Sequence, residues 1–144
     1  MNKAIIFALG SILWTQVVTA QSVLDTLRWQ HRVLLLFAPD DAQPDMREQI
    51  ALLTQKSAEV TDRDLVFFTL FTENGLGPDQ RILSKVQVQH WRKRFGVPDA
   101  GFTLILIGKD GTEKLRRHEK TSLSDIFALI DAMPMRRAEM RKRG

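Results

Sequence analysis

The chain has 144 residues, 44% apolar and 26% charged, a balance of one folded domain rather than of a disordered or membrane-embedded chain. It contains no cysteine, which excludes disulfide exchange, thiol peroxidase chemistry and thiolate metal sites. Net charge is +4, and the surplus sits in residues 136–143, where Arg136, Arg137, Arg141, Lys142 and Arg143 face the single acid Glu139; no basic folded face is visible, so a nucleic-acid partner is not expected.

Residues 1–20 read as an export signal. Lys3 is a short positive start, residues 4–14 are apolar, and Val18-Thr19-Ala20 offers small side chains for cleavage after Ala20. Residues 4–20 include Ser11, Thr15, Gln16 and Thr19, and are short for a span of about 20 residues. A periplasmic or extracellular location is therefore expected, with no transmembrane segment left after cleavage. Residues 21–135 are expected to form the domain and residues 136–144 a basic tail.

Ser22 with Asp25 three residues on suggests a short helix ending near Trp29. Residues 33–37 (VLLLF) form a continuous apolar run, as in a strand covered on both faces. A polar loop follows to Gln43, and Pro44 suits the first position of a helix carrying Met46, Ile50, Leu53 and Val60, broken by Asp62-Arg63-Asp64. Residues 65–71 (LVFFTLF) are a second apolar strand, which completes a βαβ unit. Asn74-Gly75 and Gly77-Pro78 mark a loop. Ser84 and Gln87 form a capping box for a helix that buries Val88, Trp91 and Phe95, with Gly96 as its stop. Residues 102–107 are a third strand, joined through the turn Lys109-Asp110-Gly111 to a shorter one at 112–116. Ser122 and Asp125 open a last helix, with Leu123, Ile126, Phe127, Ile130 and Met133 inward, and Pro134 is expected to end it.

The order βαβ, α, β-hairpin, α is the minimal thioredoxin-like arrangement: an α/β fold with a small central mixed sheet and helices on both faces. The strings at 27–39 (LRWQHRVLLLFAP), 102–111 (FTLILIGKDG) and 131–137 (DAMPMRR) resemble a bacterial domain-of-unknown-function family, grouped with the P-DUDES domains of extracellular sushi-repeat proteins. The resemblance implies a peroxiredoxin-like fold and no particular reaction. In thioredoxins the reactive cysteine follows the first strand; here Asp41 falls close to that place. The place at which those redox proteins carry a cis-proline before the third strand falls near Gly101 and Phe102, and the nearest proline, Pro98, lies several residues earlier. No cofactor is implied, and a thiol-dependent oxidoreductase is excluded.

Four sets of residues merit attention. Asp40, Asp41 and Asp45 lie where open α/β sheets bind ligands and could serve a hard cation or acid–base chemistry, or simply complement a helix N-terminus. Arg28, Trp29 and Arg32 could make a stacking platform for an anionic or aromatic ligand, or Trp29 could pack under the sheet with both arginines in water. Arg136, Arg137, Arg141, Lys142 and Arg143 could meet an anionic envelope surface, or be a solvated run. His31, His90 and His118 are too far apart in sequence for a zinc motif, and no nucleophile-elbow string is present. The preferred expectation is a non-catalytic module that binds a protein or envelope component. An enzyme or metal-binding protein using the aspartate loop, and a tail-driven surface binder, stand as alternatives.

Overall fold

The computed structural model describes residues 20–144; all of the expected export signal but its last residue, Ala20, falls outside them. The elements run α1 (Ala20–Leu27), β1 (Arg32–Phe37), α2 (Pro44–Gln55), α3 (Ser57–Asp62), β2 (Leu65–Leu70), β3 (Asn74–Leu76), β4 (Ile82–Ser84), α4 (Lys85–Phe95), β5 (Thr103–Ile107), β6 (Glu113–Arg117), α5 (Leu123–Asp131) and α6 (Pro134–Arg143). One six-stranded sheet has the order β4-β3-β2-β1-β5-β6. β1 and β2 are parallel and every other pairing is antiparallel, so the sheet is mixed as the element order predicts.

The apolar runs become central strands because both of their faces are covered. Every residue of β1 and β5 is buried. Val33, Leu35, Phe37, Ile105 and Ile107 point to a core shared with α1 and α4, where Phe68 meets Trp91 edge to face at 5.0 Å. Leu34, Leu36, Leu104 and Leu106 point the other way, onto α2, α3 and α5. Alternate residues of one run thus serve two cores. Two of the three expected caps form: the Ser84–Gln87 capping box is complete, and Ser122 Oγ accepts from the Asp125 N–H, whereas Ser22 lies inside α1 and is not its cap. Gly96 ends α4 in the left-handed region at φ 61°.

Four features differ from the sequence expectation. α1 begins at Ala20 and stops at Leu27, ahead of Trp29. The stretch expected to be a loop after β2 folds back as β3 and β4, whose three residues each are too few to show an alternating pattern. Lys56 splits the expected single helix into α2 and α3. The fourth concerns the C-terminus. Pro134 does not merely stop α5; it occupies the first turn of a further helix, where its missing N–H costs nothing. The residues expected to be a solvated tail are helical, and Arg136 is buried.

Candidate functional site

The end of β1 is the first place to examine, because a thioredoxin-like scaffold would carry its reactive group there. Gln43, not an aspartate, caps α2: its Oε1 accepts from the Met46 N–H at 2.9 Å. Asp40 Oδ1 accepts from the Ala42 N–H at 2.9 Å, and the Asp41 carbonyl accepts from Arg47 Nε at 2.8 Å. Asp40 and Asp41 line a shallow depression of about 300 Å³ with Pro39, Phe71, Glu73 and Asn74, whereas Asp45 sits in the first turn of α2 and does not join them. Among the described residues no three His, Asp or Glu side chains converge on a point that could hold a metal ion, so the three-aspartate cluster is not assembled. Phe102 is a buried core residue and lines nothing.

A residue that sequence reading missed holds this end of the sheet. Arg92 on α4 is 2% exposed. Its Nη2 donates to the Ala38 carbonyl at 2.6 Å and the Leu70 carbonyl at 3.4 Å, and its Nη1 donates to the Pro98 carbonyl at 2.6 Å. The Ala38 and Leu70 carbonyls lie at the ends of β1 and β2, so one guanidinium ties both strands to α4 and to the connection that follows it. Burial lowers the Arg92 pKa, opposed by the charge of Asp99 3.8 Å away. Its place on a helix otherwise rich in Lys and Arg disguises it.

The Arg28, Trp29, Arg32 set divides. Trp29 does not pack under the sheet: it is 58% exposed, with φ 68°, a left-handed conformation unusual for a bulky side chain. The conformation is fixed by its N–H donating to the Lys109 carbonyl at 2.7 Å. The Arg28 guanidinium lies 5.0 Å from the indole centroid, and its Nε donates to the Asp110 carbonyl at 3.0 Å. Beside them a 190 Å³ pocket is lined by Arg28, His31, Arg94, Asp110 and Thr112 among others. Arg32 does not remain in water and is not part of this platform. It is fully buried on the other side of the turn.

Arg32 is buried because α6 supplies its counter-charge. Glu139 accepts from both Arg32 Nη groups at 3.2 Å and from Lys109 Nζ at 2.7 Å, and Lys109 also donates to Asp64 at 2.8 Å. Arg136 donates to Asp62 at 2.5 Å and to Asp131 at 3.1 Å, Arg63 holds the other Asp131 oxygen at 2.7 Å, and Arg143 pairs with Asp62 at 2.7 Å. The Arg136 hydrogen bond holds the Asp62 carboxyl below the usual range. Burial would raise Asp64, Asp131 and Glu139, but their hydrogen-bonded cations more than reverse this and lower all three. Of the five basic residues of the expected tail, Arg136 is buried, Arg143 is exposed but paired with Asp62, and Arg137, Arg141 and Lys142 are exposed. The three histidines remain separate; His118 Nδ1 lies 3.3 Å from Thr103 Oγ1.

These features can be set against known proteins. Among solved structures the fold is similar to the thioredoxin peroxidase I of Plasmodium yoelii (TM-score 0.61, 17% identity, 84% of this chain and 86% of that one). It is also similar to the reduced 2-Cys peroxiredoxin of Plasmodium vivax (TM-score 0.63, 18% identity, 80% and 72%). At these identities the likeness concerns the fold alone, which is thioredoxin-like. In sequence the chain is 28% identical over 136 residues to coiled-coil domain-containing protein 80 of Danio rerio, and it spans only 16% of that protein's length. The family described as domain of unknown function DUF4174 matches residues 23–139, from α1 into the charged face of α6, and the chain belongs to that family.

Proposed function

We propose that the domain is a non-catalytic binding module that acts after export, on a thioredoxin-like scaffold that lacks the thiol. One observation carries the reading: the chain has no cysteine, so the segment between β1 and α2, where a thioredoxin-like scaffold would carry its attacking sulfur, holds Asp40 and Asp41 and no thiol. A carboxylate oxygen neither exchanges with disulfides nor passes through a sulfenic acid. The surrounding polar groups are also committed to structure, with Gln43 on the helix cap, Asp40 on its own turn and Arg92 on the strand ends. The purified protein is expected to match the blank in insulin reduction and in peroxide consumption. Turnover in either assay that disappears in Asp41→Ala would overturn the reading.

A second reading, attachment to an anionic envelope surface, is favoured by the exposed Arg137, Arg141 and Lys142, for which no ion pair is found among the described residues. Each would contribute about 1 kcal/mol close to such a surface. Sedimentation with anionic vesicles should fall with added salt and be lost when all three become Gln. Undiminished binding by that variant removes the reading.

A further inference from the structure

About 20 Å along β1 from Asp41, the opposite end of the sheet opens into a second pocket. Its volume is about 350 Å³, at the small end of ligand sites. Leu129, Met133, Pro134 and Met135 form an apolar wall where α5 passes into α6, and Arg32, Lys109 and Lys114 bring the polar atoms. The same polar groups that fasten α6 to the body therefore border this cavity.

Counting donors against acceptors indicates what the cavity lacks. Arg32 is fully buried; its two Nη groups are paired with Glu139 and the Arg63 carbonyl, but its Nε–H meets no acceptor. Lys109 gives two of its three N–H groups, to Asp64 and Glu139, and Lys114 gives one, to Asp110. The only acid in the lining, Asp110, is already used: Oδ1 accepts from the Thr112 N–H and hydroxyl, and Oδ2 from Lys114. These hydrogen bonds, Lys114's foremost, push the Asp110 pKa down to about 2, so it stays an occupied anion. The pocket has a surplus of cationic donors and no free acceptor. Of these donors only the Arg32 Nε–H is buried without a partner, and buried donors are normally satisfied; Lys114 is partly exposed, so its remaining N–H groups are open to a ligand.

We propose that this pocket binds a small amphipathic carboxylate, its apolar body against Met133, Met135 and Leu129 and its head between Lys109 and Lys114, with the charge of the buried Arg32 behind them. Methionines suit such a wall, since their unbranched side chains adapt to differing shapes. The inference rests on reading the domain as a binding module, yet its test is separate: peroxide turnover would defeat that reading and leave this pocket untouched.

The experiment is methyl NMR on the purified protein labelled at methionine, titrated with octanoate, octanol and acetate. Met133 and Met135 report on the pocket, while Met46 is buried elsewhere and Met140 lies outside the lining. Octanoate should shift the Met133 and Met135 signals saturably and leave Met46 in place, with octanol and acetate each at least about tenfold weaker, the loss of a charged hydrogen bond or of the apolar body. Lys114→Gln should weaken octanoate but not octanol, and Leu129→Trp, which fills the cavity, should abolish both. Should Leu129→Trp not fold, Met135→Trp at the rim serves the same purpose. The proposal fails if Met133 and Met135 do not respond saturably in the unaltered protein. It also fails if octanol binds as well as octanoate, or if a filled cavity still binds.

Discussion

Replacing Glu139 with alanine tests whether the C-terminal helix is part of the fold or an appendage to it. Among the described residues, the substitution removes the only carboxylate within hydrogen-bond reach of Arg32, a fully buried cation, and one of two on Lys109. Stranding one member of a buried ion pair costs about 3–5 kcal/mol. Here Glu139 is 20% exposed, Arg32 keeps the Arg63 carbonyl and Lys109 keeps Asp64, so the expected loss is smaller, about 2–3 kcal/mol. For a domain of this size that lowers Tm by about 8–12 °C. Urea unfolding followed by circular dichroism gives the free energy directly. Glu139→Gln, which retains an acceptor oxygen but not the charge, should fall between the two. A solvated tail would tolerate either change within about 0.5 kcal/mol, and that result would refute the account of α6.

Acid titration probes the same set of groups. Asp62, Asp64, Asp131 and Glu139 all have folded pKa values below their ordinary ones, so their contribution is complete above the unfolded values, about 3.9–4.3, and is lost as pH falls through the folded values. Stability should be level above about pH 5 and decline below it, with a shallower decline in Glu139→Ala; equal slopes would show that α6 takes no part. Arg92→Met removes the guanidinium donor from the Ala38 and Pro98 carbonyls, while Leu70 keeps the Ala38 N–H, and should destabilise by about 2–4 kcal/mol, whereas a loss under 0.5 kcal/mol would mean that the guanidinium does not hold the strands. Trp29→Gly removes an exposed ring from a left-handed position and should leave thermal stability unchanged or raise it by up to about 1 kcal/mol; a large loss would mean that the indole carries packing energy. Gly75→Ala places a Cβ 2.9 Å from the Thr69 carbonyl oxygen and 3.1 Å from Val88, and should cost about 1–3 kcal/mol, read from its urea midpoint.

How much of this was legible in the sequence depends on the range of the interaction. Apolar runs, capping boxes and the glycine stop act over a few residues, so β1, β2, β5, α4 and α5 could be read directly. The Arg32–Glu139 pair spans 107 residues and the Arg136–Asp62 pair 74. Nothing near Arg32 distinguishes it from the exposed Arg28, and nothing near Arg136 distinguishes it from the exposed Arg137. The positive run at the C-terminus therefore reads as solvated when taken alone. A signal was present nonetheless: Glu139 is the one acid among five bases, and its place one turn beyond Arg136 suits a helix with a charged inner face. β3 and β4 were hidden for another reason, since two three-residue strands around Asn74-Gly75 offer no periodicity to detect.

The two ends of the sheet each bury an arginine whose Nε meets no acceptor, Arg92 and Arg32, and they differ in what lies beside it. At the Asp41 end the polar atoms close on one another, through Gln43 on α2, Asp40 on its turn and Arg92 on three carbonyls. At the Arg32 end, the N–H groups of Arg32, Lys109 and Lys114 outnumber the acceptor atoms that reach them, and an apolar wall stands beside them. Selection for folding alone would favour an apolar residue over a buried arginine of this kind, because well-packed replacements of buried ion pairs are often neutral or stabilising by 1–4 kcal/mol. Replacing Arg32, Lys109 and Glu139 together by Met, Met and Leu separates the two pressures. If the charges serve stability, the triple variant unfolds earlier than the parent. If they serve a ligand, it should be at least as stable by urea unfolding while the octanoate response of Met133 and Met135 is lost, and a variant both stable and still responsive would place the ligand's recognition elsewhere.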